Sequence, residues 1–220
     1  MKRRRRYLGC EIEAQRDAIL AWFKTKRFGL SADRPGATDR KRVHPPYHAF
    51  VHLLFWTGAR PSEAAGLHWD DLDLGAGTAR ILRSRHLGQE RATKTRAAGR
   101  VVQLTAETVA VLRAIQPLVV TPDAPVFTNV AGGAIEPKAF AGHWCRCLRA
   151  LGLPVRGLYA TKDTFVSLAL TAGVNVVWLE AQTGVRYETL RRHYGVWMRE
   201  EGADQLKKLA DLAPSFSLAS

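Results

Sequence analysis

No apolar run in this chain approaches the roughly 18 residues that a membrane-spanning helix needs; each is broken sooner by a charged or polar side chain. The basic start, MKRRRR, has no apolar segment behind it, which excludes a secretory signal of the usual build. Cysteine is scarce. Cys10, Cys145 and Cys147 are an odd number without framework spacing, which excludes a disulfide-stapled scaffold and fits a reducing cytoplasm. Metal-ligand patterns are thin as well. His143 and Cys147 share a helical face, and His44, His48 and His52 recur every four residues, but such sets read as polar residues edging a helix, and no metal or other cofactor is expected. Internal repeats are absent. Acidic residues are the other shortage: 20 Asp and Glu face 33 Lys and Arg, giving a net charge of +13. An excess of that size favours a polyanionic partner, with nucleic acid ahead of an anionic membrane surface.

The 220 residues suffice for one domain with a sizeable core. Residues 11–27 have an apolar stripe of Ile12, Ile19, Leu20 and Phe23 and a basic last turn, which predicts an amphipathic helix. Glycine, proline and scattered charge over 28–44 predict a loop. PPYHAFVHLLFW (45–56) reads as a buried helix opened by Pro45 and Pro46. Thr57-Gly58 then signals a turn, and Pro61 opens a short helix that stops at Gly66. Between 78 and 104, TARILR and RVVQL flank a basic, glycine-containing middle and predict one small antiparallel sheet. Helical patterning resumes at 105, with Thr105 as a candidate N-cap, and continues in short segments punctuated by Gly173 and Gly184. The expected fold class is therefore mainly α with a small antiparallel β-sheet (α+β). The expected organisation is a basic tail over 1–10, a catalytic domain over 11–198 and a C-terminal helix or tail over 199–220, where Leu206 and Leu209 form a narrow apolar face.

Positive charge concentrates in two places. Residues 2–6 are all basic and read equally as a solvated tail or a phosphate-binding arm. The second cluster, Arg80, Arg83, Arg85, Arg91, Lys94, Arg96 and Arg100, surrounds a single acid, Glu90. A basic hairpin of this kind can lie along a phosphate backbone and release counterions. An ordinary solvated hairpin would mix both signs.

Tyr194 follows Arg191, Arg192 and His193 in the stretch RRHYGVWM. A phenol has a pKa of about 10, so about one in a thousand is ionised at neutral pH. Attack on a phosphodiester therefore calls for fixed cations around the phosphate and a proton donor for the leaving oxygen, supplied from rigid elements spread along the chain. TGARPSEAAGLHWDDLDL (57–74) resembles the first arginine box of the tyrosine recombinases, the phage-integrase family, with Arg60 and Glu63 in place. Lys94, in TKT, matches the family's hairpin lysine. TGVRYETLRRHYGVW resembles the last box, in which a glycine precedes the nucleophile by ten residues, as Gly184 precedes Tyr194. The resemblance spans about residues 7–200. It implies strand cleavage through a 3′-phosphotyrosyl intermediate, without metal or ATP, and rejoining by a partner 5′ hydroxyl. It makes Tyr194 the nucleophile, Arg60 and Lys162 the phosphate ligands, Lys94 the acid at the leaving 5′ oxygen, Tyr159 a positioning group and Glu63 a brace for Arg60. It also implies double-stranded DNA as partner, a tetramer on that DNA, docking of the C-terminal segment on a neighbouring protomer, and a cytoplasmic bacterial or phage setting. Arg83, Arg85, Arg91, Arg96 and Arg100 are the expected contacts to the DNA backbone.

Four side chains depart from the family pattern. In LYATKDTFVSLALTAGVN (158–175), Tyr159 stands at the usual His, Lys162 at the usual Arg and Asp163 at the second His; Val185 replaces the His or Trp after the glycine of the last box. Lys162 keeps the charge without the planar fork, Val185 offers no hydrogen bond, and His193 is a candidate compensator. Fewer than 60 residues precede Arg60, too few for the separate helical DNA clamp usual in the family, so a catalytic domain alone or a truncated gene is expected. The alternatives to an active recombinase are an impaired DNA-binding remnant of the same fold and a basic helical RNA- or partner-binding protein.

Overall fold

Two prolines open the helix on which the rest is built. In the computed structural model, which describes residues 9–29, 41–92 and 99–198, helix α2 runs Pro45–Thr57. Proline at the first helical positions sacrifices no hydrogen bond, because those N–H groups lack intrahelical acceptors anyway. Phe50, Val51, Leu53 and Leu54 are all fully buried, so α2 is enclosed on nearly every side. Helix α1 (Gly9–Thr25) packs its Phe23 against Phe140 of α5 (Pro137–Ala150), with ring centroids 5.5 Å apart. Phe50 of α2 completes that aromatic group.

The strands are short and antiparallel. Strands β1 (Arg27–Phe28) and β2 (Arg42–Val43) pair across the stretch expected to be loop, with Arg27 taken from the end of the expected helix. Next come the short helix α3 (Pro61–Ala65), then β3 (Leu72–Asp73), β4 (Thr78–Ile81), β5 (Arg83–His86), β6 (Gln89–Ala92) and β7 (Arg100–Gln103). The expected pairing of TARI with RVVQ occurs, with Ile81 opposite Arg100 and Thr78 opposite Gln103, in a three-stranded sheet ordered β3-β4-β7. The basic middle does not extend that sheet. It forms its own hairpin, β5-β6, because β6 is exposed at every residue and has no face to bury. The hairpin turns on Leu87 and Gly88, both with positive φ (51° and 75°), which matches the twist of a two-residue turn. Their N–H groups donate to the Glu136 carboxylate at 3.2 and 2.8 Å, tying the hairpin tip to the start of α5.

Helix α4 (Ala106–Ile115) is capped by Thr105 as expected, its hydroxyl accepting from Thr108 N–H at 3.2 Å. Helices α6 (Ala160–Thr171), α7 (Val176–Thr183) and α8 (Tyr187–Tyr194) gather around a second, smaller core of Val166, Leu170, Leu179 and Leu190, and Tyr194 is part of it. The structure is thus mainly helical with small antiparallel sheets. No helix among the described residues is long and apolar enough to cross a membrane. The basic run 2–6, Lys94, Arg96 and the apolar face of 199–220 lie outside the described residues.

Candidate active site

Arg60 is delivered by the turn that ends α2. Gly58 caps that helix in the left-handed conformation (φ 64°), and its N–H reaches Leu54 O. A Cβ there would come within 2.5 Å of the Phe165 ring, so both backbone and space require glycine. Two residues on, Arg60 is the N-cap of α3 and Pro61 its first helical residue. The Arg60 side chain is 48% exposed and so is open to an incoming anion.

Glu63 is the buried hub beneath it. Its carboxylate accepts from Arg60 N–H at 2.8 Å and from Arg60 Nη1 at 3.0 Å. It also accepts from both terminal nitrogens of Arg100, at 3.0 and 2.7 Å, a fork that fixes direction as well as charge. Burial pushes the Glu63 carboxyl up, but the Arg100 and Arg60 contacts outweigh it and hold it below its ordinary value. For Arg60, burial again opposes the charge, and Glu63 and a hydrogen bond with Tyr159 overcome it, so its pKa is raised.

Arg100 carries the network across to α7. Its Nε donates to Gln182 O at 3.1 Å, and Gln182 exchanges two 2.9 Å hydrogen bonds with the Gln103 backbone on β7. The next residue, Thr183, gives its carbonyl to Lys162 Nζ at 2.6 Å. Lys162 is 1% exposed. Burial lowers its pKa to about 8 against the pull of Glu63. Its ammonium therefore faces the end of α7 from inside the protein. Gly184 then ends α7 in the left-handed conformation, with Arg100 lying across it, and the chain turns into α8.

On α8, Leu190 and Tyr194 face inward, one turn apart, while Arg191, Arg192 and His193 are exposed. The basic bed seen in RRHYGVWM is thus on the outer face, and His193 does not share the tyrosine's side. Tyr194 is 8% exposed, and its hydroxyl donates to Asp163 Oδ1 at 2.5 Å. Trp197 lies beside the ring, with centroids 6.0 Å apart. Val185 packs into the same small core. The phenol borders a cavity of about 340 Å³ that Asp163, Arg16, Arg156, Trp144 and Trp197 also line. Tyr159, 47% exposed, precedes α6 and contacts Arg60. Tyr159 and Asp163 are four residues apart, one above the other on one helical face. The start of α6 thus reaches Arg60 through Tyr159 and Tyr194 through Asp163.

The basic hairpin is arranged differently from its sequence reading. Arg83 pairs at 2.7 Å with Asp71, which is buried, and Arg80 bonds the carbonyl of Asp70. Arg85 pairs with Glu90 at 3.1 Å and approaches Glu136. Arg100 serves Glu63. Among the described residues of this cluster, Arg80 and Arg91 are exposed and without an ion pair, and of the two Arg80 is held by a backbone carbonyl. Counting acids within the hairpin missed Asp71, Glu63 and Glu136, which the fold brings in from elsewhere. Asp163 was visible as an odd residue in the middle box; its spacing from Tyr159 was the available signal for a shared face. His44 contacts Thr128 O at 2.7 Å and His52 contacts Thr108 at 3.2 Å, while burial pushes the Cys147 thiol up to about 12. No group of three or more His, Cys, Asp or Glu side chains placed to hold a metal ion occurs among the described residues.

A sequence model of the phage integrase family matches residues 37–157. A protein of Escherichia coli (strain K12) named as defective protein IntQ is 26% identical over 194 residues, covering 73% of this chain and 48% of that protein. The chain thus spans about half the length of this curated relative. The fold matches the Tn1549 transposon integrase (aa 82–397), solved with circular intermediate DNA, with a TM-score of 0.66 at 19% identity, covering 91% of this chain and 66% of the other. It matches the XerA recombinase with a TM-score of 0.62 at 14% identity, over 93% and 65% of the two chains. The catalytic domain of bacteriophage HP1 integrase aligns with a TM-score of 0.59 at 18% identity, over 92% of this chain and 96% of that one.

Proposed function

The chain belongs to the phage integrase family, and from that premise we propose that it is a site-specific DNA recombinase that cuts and rejoins duplex DNA through a 3′-phosphotyrosyl intermediate. One observation carries this reading. The exposed Arg60 guanidinium meets Tyr159 and the Tyr194 phenol meets Asp163, two residues four apart at the start of α6. Arg60 anchors the scissile phosphate, and Glu63 holds its fork at a fixed angle. Tyr194 attacks phosphorus, Lys94 protonates the leaving 5′ oxygen, and Tyr159 hydrogen-bonds the phosphate beside Arg60. Lys162 acts from behind by fixing the end of α7, and through Gly184 the start of the helix that carries the nucleophile. The ester conserves the energy of the broken bond, so a 5′ hydroxyl of a partner strand reverses the step.

Duplex DNA is the proposed substrate, and the +13 charge supports it. Two protomers at least are needed for strand exchange, and a tetramer on DNA is the proposed assembly. The fully bonded Glu63–Arg100 hub favours a working enzyme over a decayed remnant, since a buried carboxylate without selection on the site is a cost to stability. The test is a nicked suicide duplex, from which the short 5′ fragment diffuses away and traps the covalent complex. Wild-type protein forms the adduct and Tyr194→Phe forms none. An adduct that survives Tyr194→Phe contradicts the proposal.

A further inference from the structure

Strand cleavage by Tyr194 also needs a group that receives the phenolic proton. At neutral pH about one phenol in a thousand is ionised, so attack is slow unless a base takes the proton as the bond to phosphorus forms. Several groups surround the hydroxyl. Val185 and Leu190 have no acceptor. Trp197 presents its ring. Arg191, Arg192 and His193 are on the exposed face of α8. Arg16 of α1 and Arg156 of the loop before α6 line the same cavity, and both are cations. Lys162, next along α6, turns inward to Thr183 O. Asp163 alone in this group is an anion, and its Oδ1 accepts the hydroxyl hydrogen at 2.5 Å, within the range of a charge-assisted O–H···O⁻ bond.

We propose that Asp163 is a catalytic residue, the general base that takes the proton from Tyr194 during strand cleavage and returns it during rejoining. The inference rests on Tyr194 being the nucleophile. In the forward step the Tyr194 Oη–H bond breaks and its proton moves to Asp163 Oδ1 while the Oη–P bond forms. The P–O5′ bond breaks, and the 5′ oxygen leaves as an alcohol with the proton proposed to come from Lys94. In reverse, a 5′ hydroxyl attacks phosphorus and passes its proton to the neutral Lys94, the Oη–P bond breaks, and Asp163 gives its proton back to Oη. No oxidant, reductant or further reactant enters. Arg16 and Arg156 on the cavity wall stabilise negative charge there, which suits a site where a carboxylate and a phosphate meet.

The experiment measures initial adduct formation by the full chain against pH, using a pool of nicked suicide duplexes of randomised sequence. It compares wild type with Asp163→Asn, Asp163→Glu and Tyr194→Phe, with thermal melting of each. Asp163→Asn keeps an acceptor near the phenol but removes the base. Its adduct rate falls by about 100-fold at pH 7 and then climbs about tenfold per pH unit toward the phenol's value of about 10, while the wild-type rate stays flat over the same interval. Asp163→Glu restores part of the pH 7 rate. The inference is overturned if Asp163→Asn matches or exceeds wild type at pH 7, which would make the contact a latch. It is equally overturned if the variant is slower with a pH profile parallel to wild type, which would make the contact structural. In both cases Tyr194→Phe still abolishes the adduct and the recombinase reading stands. Absence of any wild-type adduct removes both.

Discussion

Lys162 carries its charge inside the protein, and that placement has a measurable cost. Its folded pKa of about 8 lies below its ordinary value of 10.5, with burial as the main cause. Between those values the unfolded chain holds a proton that the folded chain has released. The destabilisation is complete below about pH 8 and is relieved as pH rises toward 10.5. The relief amounts to about 3 kcal/mol. Urea unfolding at a series of pH values from 7 to 10 should show stability rising in wild type, and the rise should vanish in Lys162→Met. An equal rise in that variant would mean other groups produce it. The sequence revealed Lys162 as the occupant of an arginine position. Its direction was not legible, because the same helix start can aim a side chain outward to a phosphate or inward to a carbonyl. Asp163 illustrates the same limit, since a carboxylate's role depends on a partner 31 residues away.

Among the elements, the turn between α2 and α3 was the most legible. Gly58, Arg60 and Pro61 each have a local reason for their position: a left-handed cap, a helix start and a proline at the first helical residue. Gly58→Ala tests that economy. The added methyl meets the Phe165 ring and the left-handed backbone disfavours it, so stability should fall by about 1–3 kcal/mol, with adduct formation reduced as Arg60 shifts. A variant that melts and cleaves like wild type would show that the turn has slack. The helices themselves were readable from prolines, caps and periodicity, and their observed ends differ from the reading by one or two residues. The separate β5-β6 hairpin was not readable, because alternation marks a strand with one buried face and these strands have almost none.

Over the whole molecule, the excess positive charge pointed to a polyanion, but its distribution emerges only in three dimensions. Three carboxylates distant in sequence, Glu63, Asp71 and Glu136, join Glu90 of the hairpin itself in engaging arginines expected to meet DNA. Arg83 and Arg91, expected to act alike, should therefore separate. Arg91→Ala should leave stability unchanged and lower the salt dependence of duplex binding by about 0.9 in log–log slope. Arg83→Ala leaves buried Asp71 without its cation and should destabilise by about 3 kcal/mol. Fluorescence anisotropy over a salt series, beside thermal melting, checks both; equal changes in slope with unchanged melting would restore the simpler view of a uniform basic hairpin.

The central claim is that this fold performs cleavage with Tyr194. The most direct measurement is mass spectrometry of the protein after reaction with a nicked suicide duplex. The account predicts a DNA adduct whose tryptic fragment carries the phosphoryl group on Tyr194, absent in Tyr194→Phe. Linkage to any other residue, or a protein that binds duplex DNA and never becomes joined to it, would contradict the account.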